Sequence, residues 1–163
     1  MTSTNRTARL TLPADDQILI SREFAAPRHL VYRACTTPEL VRQWWGGQRG
    51  VVTSVEIDLR VGGHWRYVLL ANGGFEVAFH GEFREVDAPS RIVRTFVFEP
   101  IPEAAALETL ELVENNGKTT IKTTTLHKTV ENRDGHVNSG MEAGMTEGYA
   151  RLDELLAGLL QTR

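Results

Sequence analysis

Residues 75–84 read Phe75-Glu76-Val77-Ala78-Phe79-His80-Gly81-Glu82-Phe83-Arg84. Phe75, Val77, Phe79, Gly81 and Phe83 fall on one side of a twofold repeat; Glu76, His80, Glu82 and Arg84 fall on the other. Such alternation marks a β-strand with one core face and one solvated face. The pattern spreads in both directions. Upstream, Asn72-Gly73-Gly74 is a hairpin signal, and Trp65, Tyr67 and Leu69 alternate before it. Beyond the turn at Gly62-Gly63, Val51, Thr53, Val55 and Ile57 alternate again. Downstream, Asp87-Ala88-Pro89-Ser90 turns the chain into a strand over 91–99 that Pro100 and Pro102 end. Strands over 107–114 and 119–127 flank Asn115-Asn116-Gly117. Successive hairpins with short loops imply an antiparallel meander.

The segments outside the meander have a different period. Residues 18–24 are one more strand, rich in β-branched and aromatic residues. Pro27 then suits a first helical turn, and Leu30, Val31, Ala34 and Cys35 make one apolar helical face. Thr37-Pro38-Glu39 starts a second short helix that reaches Trp44-Trp45 and stops at Gly46-Gly47. At the far end, Met141, Met145, Gly148, Leu152, Leu155 and Leu159 recur as one face of an amphipathic helix. Gly140, Gly144 and Gly148 lie on a neighbouring stripe, each costing roughly 1 kcal/mol relative to Ala. Two reasons would explain them: close approach of the helix to its neighbours, or space left open beside it. The architecture expected is α+β, a curved seven-stranded antiparallel sheet around a long C-terminal helix, with two short helices after the first strand.

The chain has 163 residues, enough for one domain that buries roughly 70% of its unfolded surface. Residues 1–16 are polar, lack an apolar signal core and are expected to form a flexible arm before a single domain over 17–163. Charged residues make up 24%, hydrophobic ones 41%, and net charge is −3. There is no Lys/Arg stripe for a nucleic-acid backbone and no apolar run of the ~20 residues needed for membrane insertion. One cysteine, Cys35, agrees with a cytoplasmic location.

Several segments resemble a known family. They are 20–27, Thr37-Pro38-Glu39-Leu40 with Trp44-Trp45-Gly46, Asp58-Leu59-Arg60-Val61-Gly62-Gly63, Gly81-Glu82-Phe83 leading into 89–93, and 140–145 with 151–156. Together they are similar to the activator of heat-shock-protein-90 ATPase-like family of the START/polyketide-cyclase-like (SRPBCC) superfamily. The resemblance spans about 18–160. It implies the helix-grip fold and an internal pocket between sheet and C-terminal helix, and it departs at Cys35, where similar sequences carry a large aromatic residue.

The residues carry little chemistry of a recognisable motif. His29, His64, His80, His127 and His136 show no metal-ligand spacing, so neither metal nor cofactor is expected. There is no nucleophile elbow, and Cys35 reads as a small buried hydrophobe. Gly46-Gly47-Gln48-Arg49-Gly50 matches no phosphate loop. His80, Glu82 and Arg84 share a strand face, but it is the solvated one. What remains is an aromatic and methionine set: Trp44, Trp45, Trp65, Tyr67, Phe79, Phe83, Phe96, Met141, Met145 and Tyr149. With the pocket that the resemblance implies, this set is the expected lining, and Arg94 is its expected polar contact. The leading expectation is a protein that binds a small apolar or amphipathic molecule. No convergent acid–base pair is legible on the inner face, which favours a binder over a cyclase, dehydratase or hydrolase acting on such a ligand. The family's name adds a chaperone-stimulating module as a further alternative, and exposed strand edges leave a homodimer open.

Overall fold

The structure is a computed structural model and describes residues 8–161. In chain order its strands are β1 (Arg9–Thr11), β2 (Gln17–Phe24), β3 (Gly50–Ile57), β4 (His64–Ala71), β5 (Glu76–Asp87), β6 (Arg91–Phe98), β7 (Ala106–Asn115) and β8 (Lys118–Leu126). The helices are α1 (Arg28–Thr36), α2 (Pro38–Trp44), α3 (Val130–Val137) and α4 (Met141–Gln161), with a 3₁₀ turn at Gly47–Arg49. All strands join one antiparallel sheet in the order β1-β2-β8-β7-β6-β5-β4-β3. The fold is the helix grip: the curved sheet closes on α4.

The seven expected strands are β2 to β8. The eighth, β1, comes from the segment read as an arm; Arg9 pairs with Ser21 and Thr11 with Leu19. Residues 1–7 of that segment lie outside the described residues. Among the α-helices the unread one is α3. Its signal was a cap, not a hydrophobic face: the Thr129 hydroxyl accepts from the Asn132 amide, and Glu131 sits in the first turn. By contrast, Thr37 stands at the start of α2 without a side-chain cap bond, so Pro38 and the acidic Glu39 of the first turn mark that start.

The sheet bends at two irregularities, between Val52 and Ser54 and between Phe83 and Glu85. Gly81 makes the second region close-packed. A Cβ there would collide with the Thr95 carbonyl and sit 2.6 Å from Trp65 Nε1, which itself donates to Thr95 O at 3.1 Å. The buried stripe of α4 is Gly148, Tyr149, Leu152 and Leu156. Leu152 is fully covered, worth roughly 1.5–3 kcal/mol by burial alone. Arg22, on the inner face of β2, reaches Asp153 of α4 at 3.6 Å and ties sheet to helix.

Gly144 and Gly148 lie inside α4 and answer to close approach, whereas Gly140 precedes the helix with φ +85° and Gly158 faces open space. Trp44 O lies 3.2 Å from where a Cβ of Gly148 would stand, and Glu147 Cβ lies 2.6 Å from a Cβ on Gly47. Gly140 and Gly144 both pack on the Arg49 side chain, whose Nη2 donates to Ser139 O and Gly140 O. The turn after α2 is thereby held on the start of α4.

Candidate functional site

Between the sheet, α1, α2 and α4 lies a small cavity of about 70 Å³. A water needs roughly 10–15 Å³. The space therefore holds a few waters or one ligand head group, and falls short of the roughly 300 Å³ typical of small-molecule pockets. Trp44, Trp45, Tyr67, Phe83, Arg94, Met145 and Tyr149 of the expected set form part of its wall. Trp65, Phe79, Phe96 and Met141 stand behind it. Trp65 lies under Arg94, with the guanidinium 3.9 Å from its ring, and packs at a tilt between Tyr67 and Phe96. Phe79 packs edge-on against Trp45 at 4.9 Å. Met141 is half-buried against the core.

Each wall residue has a local cause. Trp44 is locked by its indole, which donates to Ala34 O at 3.0 Å. Trp45, one residue later, leaves the helix with extended backbone and turns its ring onto Tyr67 and Phe79. Tyr149 projects from α4 against Phe24 in an edge-on contact and hydrogen-bonds Thr123. Cys35 adds a thiol to the wall; burial pushes it up to about 12, which favours the protonated thiol at pH 7.

The chemistry of the site is concentrated in a group that the sequence reading half missed. Arg94 on β6 and Glu108 on β7 are direct cross-strand partners. Arg94 Nε donates to Glu108 Oε1 at 2.7 Å, and Nη1 donates to the Tyr67 hydroxyl at 3.1 Å. Both charged side chains are 15% exposed. Burial pulls Arg94 down, but Glu108 and Tyr67 outweigh it, so the guanidinium stays charged. Glu108 was legible in principle. It shares strand parity with Leu110 and Leu112, as Arg94 does with Ile92 and Phe96.

A second polar cluster lies at the end of β8. His127 Nε2 and His136 Nδ1 are 3.0 Å apart, and the His136 ring stacks on Phe96. Burial, then the neighbouring imidazole, pushes His136 down to about 4; burial and Arg133 lower His127. Both rings are neutral at pH 7. Among the described residues no group of three or more His, Cys, Asp or Glu is set to hold a metal ion. No helix among them is long and apolar enough to cross a membrane. His80, Glu82 and Arg84 are on the outer face, where His80 contacts Glu99 at 2.8 Å and Arg84 contacts Glu82 at 3.5 Å.

Comparison with known proteins adds identity to this geometry. The family model described as "Activator of Hsp90 ATPase homolog 1-like protein" matches residues 25–157. A crystal structure of a Rhodobacter sphaeroides protein is similar, with 25% identity, a TM-score of 0.86, and coverage of 93% of this chain and 99% of that one. A Nitrosomonas europaea protein has 25% identity, a TM-score of 0.83, and coverage of 92% and 99%. A Staphylococcus epidermidis protein solved by NMR has 28% identity, a TM-score of 0.77, and coverage of 90% and 93%. No curated protein matches the sequence.

Proposed function

The chain belongs to the Activator of Hsp90 ATPase homolog 1-like family, and from that premise we propose that it binds a small apolar or amphipathic molecule between sheet and α4. The observation that carries this reading is a cavity with an apolar wall and one polar corner, at Arg94, Glu108 and Tyr67. Binding sites of this kind use a few placed polar groups in an apolar lining. Because the space is about 70 Å³, the tail of a larger ligand needs side chains to move. Trp45 and Met145 are the wall residues suited to this: Trp45 is half-buried beyond the end of α2, and Met145 is unbranched.

Native mass spectrometry of the protein, purified without denaturation, tests the reading. An excess mass that is lost on denaturation is expected, and a native mass equal to that of the bare chain contradicts it. An enzyme acting on the same ligand is the second reading. Glu108 favours it, as a carboxylate in the cavity wall that is a candidate proton acceptor. The fate of the retained molecule separates the two: a binder releases it unchanged, and an enzyme releases a mixture of substrate and product.

A further inference from the structure

The polar corner carries information about the head group of the ligand. Its two ionised members neutralise each other: Arg94 and Glu108 meet at 2.7 Å, each 15% exposed. The other titratable groups in the cavity wall are Cys35, Tyr67 and Tyr149, and burial raises all three above their ordinary values, leaving them uncharged at pH 7. The wall therefore has no net formal charge. A carboxylate brought into it would create an uncompensated negative charge, and an ammonium an uncompensated positive one, both in a poorly solvated space.

The corner nevertheless has unused hydrogen-bonding capacity. Arg94 spends Nε on Glu108 and Nη1 on Tyr67. Its Nη2, and the second oxygen of Glu108, have no protein partner among the described residues. Neither atom is among the fully buried atoms left without a partner, which are Tyr32 Oη and His127 Nδ1. So one ion pair leaves a donor and an acceptor without a protein partner, neither of them sealed off from open space.

Resting on the container reading, we infer that the ligand of this cavity carries an uncharged head group with an acceptor for Arg94 and a donor for Glu108 side by side, on an apolar stem. Primary amides and hydroxy-carbonyl compounds have this chemistry. Carboxylates and amines do not, since each supplies only one of the two roles and adds a charge.

Three probes on four-carbon chains test it: butyramide, butyrate and butylamine at pH 7, titrated against protein labelled with ¹³C at the methionine methyls. Met145 lines the cavity and Met141 stands behind it, so the Met145 methyl reports the site. Butyramide is expected to shift the Met145 signal with an affinity at least tenfold above the two ions. Tighter binding of butyrate or butylamine overturns the inference while leaving the container reading in place. No shift with any of the three overturns both. The Glu108→Gln variant sharpens the result, because it leaves Arg94 uncompensated and is expected to move the preference toward butyrate by tenfold or more. An unchanged ranking in a folded variant overturns the inference, and the wild-type ranking decides the matter by itself if the variant does not fold.

Discussion

Two arginine–carboxylate clusters sit on opposite faces of the same sheet. On the outer face Arg66 binds Glu99 through two bonds, of 2.8 and 3.0 Å, and His80 joins at 2.8 Å. On the inner face Arg94 holds Glu108 through one bond of 2.7 Å, with Tyr67 as third member. The better geometry is outside, where Arg66 is 46% and Glu99 29% exposed. The bonds from Arg66 hold the Glu99 carboxyl at about 2. Water and salt still reach that pair, and exposed pairs contribute roughly 0–1 kcal/mol. The inner pair is shielded from bulk water, each side chain 15% exposed beside the small cavity. Its desolvation offsets much of its attraction, while breaking it leaves a naked charge in the core. The same chemistry thus acts as surface solvation on one face and as a constraint on the interior on the other.

The largest expected effect comes from splitting the inner pair. Glu108→Ala should lower unfolding stability by about 3–5 kcal/mol, because Arg94 stays buried without its counter-charge; urea unfolding measures this. Cys35, in the wall of the same cavity, probes that environment chemically. With its thiol at about 12 rather than the ordinary 9.0, the thiolate is about a thousandfold scarcer at pH 7 than for an ordinary cysteine. Alkylation of the native protein should be slower by a comparable factor and return to the ordinary rate in urea. A native rate within tenfold of the unfolded one would mean that the interior is wet.

The histidine pair extends the comparison to pH. His136 is neutral when folded down to about 4, whereas an unfolded histidine titrates near 6.5. The unfolded chain then binds more protons within that window. Stability is fully present above pH 6.5 and falls as pH drops toward 4. Between pH 7 and 5 the loss carried by His136 should be about 2 kcal/mol, and His136→Phe should remove that share and leave the smaller one of His127. The smallest effect is on the outer face. Glu99→Gln should cost under about 1 kcal/mol, and less still in high salt. An outer cost equal to the inner one would break the comparison.

How much of this was legible depended on which physical signal each element carries. β5 declared itself through strict alternation, and α4 through its apolar repeat, because both bury one face against many partners. β1 buries little; it is three residues long, with Arg9 and Thr11 exposed, and exists by pairing with β2. α3 has no fully buried residue and carries Gly135 in its interior, so hydrophobic periodicity had nothing to read. In the site, large apolar residues were found because size and burial go together. Glu108 was passed over because a carboxylate ordinarily faces water, and only its register opposite Arg94 brings it inside. Which aromatics touch the cavity and which stand behind it follows from ring orientation, as with Trp65 under Arg94, and strand parity does not encode that.

The central claim is that the inner pair serves recognition of a ligand more than stability. Urea unfolding of the wild type and the Arg94→Met, Glu108→Leu double variant, each with and without butyramide at ten times its wild-type dissociation constant, tests this directly. Without butyramide the double variant should be as stable as the wild type or more so, since a buried ion pair is replaced by apolar groups of similar volume. With butyramide the wild type should gain about 1.4 kcal/mol and the variant nothing. A double variant that loses several kcal/mol, or that gains from butyramide as the wild type does, would contradict the account.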